Sequence, residues 1–558
     1  MTFPAPMLPA RVSSCRAPLS LSRSTIQILL LFLVFVVPDK AEIATGAKGV
    51  EHRVSLPTAG SQRGDAVDPT ATTVVEPVPS LEADDFSTAS LPPLSGLPEI
   101  PSEEPEGQKA EDLVIPRTRA EAEVEAAKWV CGARTELYFL FANPVSGSRL
   151  GAKFLQTLPM GTATSGCVEL KIFSQTDSQS EHLGIQHIIQ AVETVKQLRS
   201  AETTQNGSSP ASLVPLEKRV RVIAVGGDGA FTWMMMAISK AGTDMEWVAS
   251  GIIPSGTGND LAHTYGWVNA GFPSHAPLSD KNIQRLLSTL RSSELLFHDF
   301  WKVTVVTDSE SGSFNKWSSR DHRSVVLGSD RHGGRTTKRF IMSNYFGIGF
   351  EGLVGSVFDR MRGKSRFWNR LVYGLLFLRF ASTDLEVCSA IDTIYTLRAS
   401  GLLAVLSNNP KYKKVPRLMP CVSLTFLNTR TILGGLELWR PTVKVGVLPP
   451  ADPAVLPQFE HFYHQLLTAE SSTGDGMLEV LSMESTADYF NAQVVGANAA
   501  RRILQGSGPF MLTFRDNISM AIQVDGEFYL CENIRSISIQ KFGSYGILKY
   551  AGHNESQT

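Results

Sequence analysis

Two acidic residues stand inside glycine-rich turns. Asp228 lies in Gly226-Gly227-Asp228-Gly229, and Asp260 closes Ser255-Gly256-Thr257-Gly258-Asn259-Asp260. Glycine lets successive backbone N–H groups point into one concavity, and a helix N-terminus behind the turn adds positive potential, so such a turn holds phosphate. A carboxylate there repels phosphate unless a divalent cation lies between them, and hard oxygen ligands suit Mg²⁺. Taken singly, each turn reads equally well as an ordinary strand-to-helix connection. In tandem they point to a magnesium–nucleotide site.

The flanking residues say what must position these turns. Val220–Val225 is an apolar, β-branched run that ends in glycine, which predicts a buried parallel strand, and Phe231–Ile238 after it predicts a covered helix. Trp247–Pro254 predicts a second strand, with Asn259 or Asp260 as the cap of the helix that follows. Upstream, Leu137–Phe141 predicts another buried strand, followed by a turn through Asn143, Pro144, Val145, Ser146 and Gly147. Phosphate-type turns at the carboxyl ends of parallel strands place a nucleotide there.

The turn at 226–229, the stretch Gly256-Thr257-Gly258-Asn259-Asp260-Leu261-Ala262 and the later Gly266-Trp267 together resemble the diacylglycerol kinase catalytic domain. The stretch Asn344-Tyr345-Phe346-Gly347-Ile348-Gly349 and the Gly434-Gly435…Trp439 pattern resemble its accessory domain. The resemblance implies an α/β nucleotide-binding domain over 131–297, with a parallel sheet, and a β-rich accessory domain over 298–548, with a tail at 549–558. It implies that ATP sits on Asn143, Ser146, Gly147, Gly226, Gly227, Asp228, Gly229, Ser255, Gly256, Thr257, Gly258 and Asn259. Mg²⁺ would lie near Asp228, Asp260 and Asp299, with Asp475 and the Met477 carbonyl at a structural metal. Asp525 would be the general base and Glu527 would orient it or position the substrate, with Asp228 also counted as catalytic. The implied reaction transfers the ATP γ-phosphate to diacylglycerol at a membrane surface and yields phosphatidic acid. Ala230 and Ser148 depart from the family pattern, which has a hydroxyl residue and a glycine there, and Glu351 stands where an Asp is usual. A kinase of a sphingoid or other lipid is one alternative, and a catalytically silent lipid-binding scaffold is another. NAD kinase shares the first turn but needs a Thr-Pro-Thr-Gly-Ser stretch that this chain lacks.

The remaining chain frames this core. A net charge of -2 gives no reason to expect a nucleic-acid partner. The six cysteines, Cys15, Cys131, Cys167, Cys388, Cys421 and Cys531, show no zinc-ligand spacing. Arg11, Arg16 and Arg23 precede an apolar run from Ile26 to Val37, which reads as a signal peptide or signal anchor within 1–42 and predicts routing into the secretory pathway. There Asn206-Gly207-Ser208 and Asn517-Ile518-Ser519 would be glycan acceptors. Residues 43–130 are rich in Pro, Glu, Ser and Thr and read as a disordered linker. Residues 307–338 read as an exposed polar loop, 446–466 as an insertion, and Arg502 with Gln505 as part of a helix. Alternation around Asp525-Gly526 predicts a β-hairpin.

Overall fold

Leu137 to Ala142 is an unbroken apolar run, and it forms a strand in which every one of those residues is buried. The computed structural model describes residues 136–552, apart from 148, 158–162, 166–167, 207–218, 273–279, 309–311, 319–322, 328–329, 333–334, 362–371, 373–374, 377–378, 381–385, 490–498 and 517. The expected signal segment, linker, most of the tail, Ser148 and residues of both glycan-acceptor sites lie outside these. Residues 83–362 with 376–558 form one compact unit that holds every element below. The other unit, 1–82 with 363–375, has two described residues, the helical Val372 and Leu375.

Four parallel strands, β1 (Glu136–Ala142), β2 (Val168–Ser174), β3 (Val220–Gly226) and β4 (Val248–Pro254), are joined through helices. These are α1 (Leu150–Thr157), α2 (Ser178–Asn206) and α3 (Asp228–Lys240), and α4 (Asp260–Thr264) follows β4. The spatial order is β4-β3-β1-β2. From β1 the chain moves outward to β2 and then crosses back to β3, so the direction of winding reverses between β1 and β3. The turns at 143–147 and 226–229 therefore flank a topological switch point, where open α/β sheets bind ligands.

Beyond these lie β5 (Glu294–Asp308), β6 (Arg335–Met342), β7 (Tyr345–Gly349), α5 (Phe350–Met361), α6 (Val387–Ala390), β8 (Ser423–Leu427), α7 (Leu456–Thr468), β9 (Leu478–Met483), β10 (Met520–Val524), β11 (Glu527–Cys531) and β12 (Ile534–Lys549). An eight-stranded antiparallel sheet contains the run β9-β8-β7-β10-β11. The long strands β5 and β12 pair antiparallel along their length, and Ile547 of β12 also pairs with Ser250 of β4, so the parallel sheet continues into twelve strands. The boundary expected between 297 and 298 falls inside β5. At the chain's return, the Trp267 indole N–H donates to the Leu548 carbonyl at 2.6 Å, and the Tyr550 N–H to the Tyr265 carbonyl at 3.0 Å.

Two local expectations are corrected, and a third stretch gains an element. The polar stretch 307–338 holds strands Phe314–Ser318, Arg323–Val326 and Asp330–His332 as well as the start of β6, and these extend both sheets at their edges. Strand formation there is set by edge pairing rather than by apolar content. The insertion read over 446–466 carries α7. Arg502 and Gln505 lie on a strand, Arg501–Gly506, paired with β9. The Arg502 guanidinium is buried over the Trp439 ring at 4.6 Å and donates to the carbonyls of Leu466, Leu467, Ala469 and Trp439, so it satisfies the end of α7. Hydrogen bonds to a charged group are worth roughly 1.5–3 kcal/mol net each. Arg502→Met is therefore expected to destabilise the fold by at least about 2 kcal/mol, read as a lowered midpoint in denaturant.

Candidate active site

Three turns meet backbone to backbone at the switch point. Gly147 faces the Ser255 carbonyl and Gly256 with no room for a Cβ, and a Cβ on Gly256 would lie 2.6 Å from the Gly227 Cα. Only glycine permits that approach. The Asn143 side chain accepts the Val145 N–H at 3.1 Å and sets the first turn. Asn259, at φ 58°, braces the third: its Oδ1 accepts the Gly256 N–H at 2.8 Å and its Nδ2 donates to the Gly256 carbonyl at 3.0 Å.

Helix α3 has Gly227 at its N-cap and so no side-chain cap, which leaves N–H groups of its first turn for an anion. Asp228 instead turns its carboxylate onto α4, where it accepts the N–H groups of Asp260 at 2.9 Å and Leu261 at 3.1 Å. Thus neither Asn259 nor Asp260 caps α4; Asp228 does, from another helix.

Asp260 is almost wholly buried. Its Oδ1 accepts the N–H groups of Gly434 and Gly435 at 2.8 and 2.9 Å, and its Oδ2 takes the Tyr345 hydroxyl at 3.5 Å. Both glycines have positive φ, 88° and 101°, which aims two successive N–H groups at one oxygen. Asp525 occupies the two-residue turn between β10 and β11, also at positive φ, as expected for a hairpin. Its carboxylate takes four donors: the N–H of Ser343 at 2.8 Å, Asn344 at 2.7 Å and Tyr345 at 3.1 Å, and the Ser343 hydroxyl at 3.1 Å. The Ser343 hydroxyl also meets Thr232 Oγ1 at 2.7 Å, and Thr232 bonds back to the Asp228 carbonyl at 3.2 Å.

Burial pushes the Asp228 carboxyl up to about 7, with Asp260 and then Asp525 adding like-charge repulsion. Burial also raises Asp260 and Asp525, against the N–H donors that each accepts. The Tyr345 hydroxyl feels all three carboxylates and is driven well above its ordinary range, chiefly by burial. Asp228 is thus close enough to Asp260 and Asp525 to feel the charge of both.

The arrangement fits a cation. A Cβ on Gly258 would lie 3.4 Å from Asp260 Oδ2 and 3.9 Å from Asp228 Oδ2, so both oxygens border the same small space. Among the described residues, no three His, Cys, Asp or Glu side chains could hold a metal by themselves. Mg²⁺ suits such a site, since it binds through one or two carboxylates and completes its shell with phosphate oxygens and water.

One expected ligand, Asp299, and one expected catalytic partner, Glu527, have their contacts elsewhere. Asp299 pairs with Lys541 at 2.8 Å and accepts the Gly476 N–H at 2.6 Å, which draws it to the Asp475 turn instead of Asp228 and Asp260. Asp475 accepts the Met477 N–H at 2.9 Å, and its carboxyl is raised by burial and by the Asp299 charge. Glu527 is exposed and salt-bridged to Lys316, whereas all four donors to Asp525 come from residues 343–345. The Ala230 methyl lies against Gly226, and the Ala230 carbonyl accepts Gln175 Nε2 at 3.1 Å. Sequence reasoning missed Thr232, Ser343, Lys316 and the Gly434–Gly435 donors. The Asn344-Tyr345 and Gly434-Gly435 motifs were visible, but not the acids that they hold.

Residues 138–286 match the family model of the diacylglycerol kinase catalytic domain, and residues 341–528 match that of the diacylglycerol kinase accessory domain. The chain belongs to the diacylglycerol kinase family. It is 25% identical over 334 residues to "Probable diacylglycerol kinase 3" of Caenorhabditis elegans, a match over 58% of this chain and 37% of that protein. It is 23% identical over 317 residues to "Diacylglycerol kinase 2" of Arabidopsis thaliana, over 56% of this chain and 36% of that one. The chain thus matches little more than a third of the length of these relatives. A solved Bacillus anthracis structure, 14% identical, aligns over 75% of this chain and 96% of its own with a TM-score of 0.35.

Gly258→Ala needs no unusual backbone and places its methyl group against the two carboxylate oxygens. It is expected to leave thermal stability nearly unchanged and to weaken Mg²⁺-dependent nucleotide binding about tenfold or more, read by titration calorimetry. A second expectation concerns Glu351, at the start of α5, which is bonded by Gln523 and Tyr489 and raised by burial from 4.5 to about 7. The native state holds its proton more tightly than the unfolded chain does. This stabilisation is complete below about pH 4.5, falls as pH rises and is gone above about 7. Glu351→Gln should remove that loss, so melting temperatures at pH 5 and pH 8 should differ less than in the parent protein.

Proposed function

We propose that the protein transfers the γ-phosphoryl group of ATP, with Mg²⁺, to the free hydroxyl of 1,2-diacylglycerol and so forms phosphatidic acid. The observation that carries this reading is the convergence of Asp228, Asp260 and Asp525 where three glycine turns touch. The uncapped start of α3 and the turns at 143–147 and 255–258 would bind phosphates through backbone N–H groups. Asp228 and Asp260 would hold Mg²⁺, which would neutralise charge on the phosphate oxygens.

Asp525 would accept the hydroxyl proton. A carboxylate offers about four lone-pair sites, and here all four are taken. Three donors are backbone groups fixed by β7 and the turn before it. The fourth, the Ser343 hydroxyl, has other partners in Thr232 Oγ1 and Asn344 Oδ1, so its rotation frees one lone pair for the substrate. Burial raises the basicity of Asp525 and suits it to that task. Routing into the secretory pathway belongs to the same proposal, on the strength of the basic and apolar N-terminal segment. A mature protein found in cytosol with Met1 intact would count against it.

The test incubates purified protein with ATP, Mg²⁺ and diacylglycerol in mixed micelles. Phosphatidic acid should form with the parent protein. Asp525→Ala should slow its formation about 10²–10⁴-fold while nucleotide still binds. Nucleotide binding without product would point to another lipid alcohol. Activity unchanged by Asp525→Ala would remove the assigned base.

A further inference from the structure

Two buried cysteines meet at the end of β7 and β8 that lies away from the acids. Tyr345, which donates to Asp525, pairs with Leu427 at one end of these strands, and Gly349 pairs with Ser423 at the other. Cys421 lies just before that far end, and Cys388 is the second residue of α6. The Val387 N–H donates to the Cys421 carbonyl at 2.9 Å, and the Phe350 N–H to the Val422 carbonyl at 3.0 Å. The Val387 side chain and the Val422 carbonyl leave no room for a Cβ on Gly349. The two sulfurs face each other across this contact. A side-chain hydrogen bond joins the two thiols, and the backbone N–H of each residue reaches the other's sulfur.

We propose that Cys388 and Cys421 form a redox modification site that closes to a disulfide. Their chain segments already hydrogen-bond to each other, which holds the two residues side by side, as a disulfide requires. Cys388 is the less buried of the two, and hydrogen bonds at its sulfur lower its thiol to about 6, so Cys388 is the attacking sulfur. The oxidant is a small-molecule disulfide such as oxidised glutathione. The Cys388 thiolate attacks one of its sulfurs, forms a mixed disulfide and expels one glutathione thiolate. Cys421 gives up its proton and attacks the Cys388 sulfur, which releases the second glutathione thiolate. Two protein thiols become one disulfide, and one oxidised glutathione becomes two reduced molecules.

The bridge would tie α6 to the strand that leads to Asn428. That side chain donates to the Asp299 carbonyl at 2.7 Å and to the Ser343 carbonyl, and Ser343 donates to Asp525. Closure would therefore stiffen the far end of the sheet without touching the acids, and it would raise the melting temperature by restricting the unfolded chain.

The experiment treats the full chain with oxidised glutathione, quenches in acid, alkylates the remaining thiols and maps cysteine peptides by mass spectrometry. A peptide linking Cys388 to Cys421 is expected, with Cys531 recovered alkylated. The melting temperature should rise by several degrees, return with dithiothreitol and stay unmoved in Cys388→Ser. In Cys421→Ser, Cys388 should accumulate as a glutathione mixed disulfide. The proposal fails if Cys388 and Cys421 are both recovered alkylated in the parent under conditions that fully oxidise a control dithiol. It fails equally if Cys388 in the parent stays glutathionylated or bonds to a different cysteine.

Discussion

The site depends on one carboxylate that reaches from the first glycine turn to the helix after the last. Asp228 begins α3, yet its oxygens accept the N–H groups of Asp260 and Leu261 at the start of α4. That contact fixes the spacing between the turns after β3 and β4 and sets Asp260 beside it. The tight approach of Gly147, Gly227 and Gly256 follows from this spacing, because larger residues would hold the turns apart.

Gathering three acids raises a physical difficulty, since buried like charges disfavour ionisation. Backbone N–H groups offset part of it. Gly434 and Gly435 serve Asp260, and Ser343, Asn344 and Tyr345 serve Asp525. All five lie in the part of the chain that follows β5. The glycine turns and these donors thus meet in one place, and the pairing of β12 with both β4 and β5 ties the two sets of strands into one sheet.

Much of this was legible in the residues. Runs such as Leu137–Phe141 and Val220–Val225 admit little besides a buried strand, and Asp525-Gly526 between alternating residues admits little besides a tight turn. Asp228 and Asp260 were legible as a pair because a carboxylate in a phosphate turn needs a reason. Side-chain direction was not legible. Glu527 sits two residues from Asp525, but its partner Lys316 comes from a strand within a polar stretch whose folding depends on edge pairing. Asp299 matched the family pattern, yet Lys541 and Gly476 take both its oxygens, and both lie far along the chain. Arg502 lies on a strand because β9 pairs with it, a tertiary effect that overrides local reading.

The most direct measurement is a crystal structure with Mn²⁺ in place of Mg²⁺ and a non-hydrolysable ATP analogue, with the metal located by anomalous scattering. Mn²⁺ bound to Asp228 and Asp260 beside Gly258, with the terminal phosphate facing Asp525, is the expected result. Metal at Asp299 and Asp475 alone, or phosphates bound away from the three glycine turns, would contradict the assignment of this junction as the site of phosphoryl transfer.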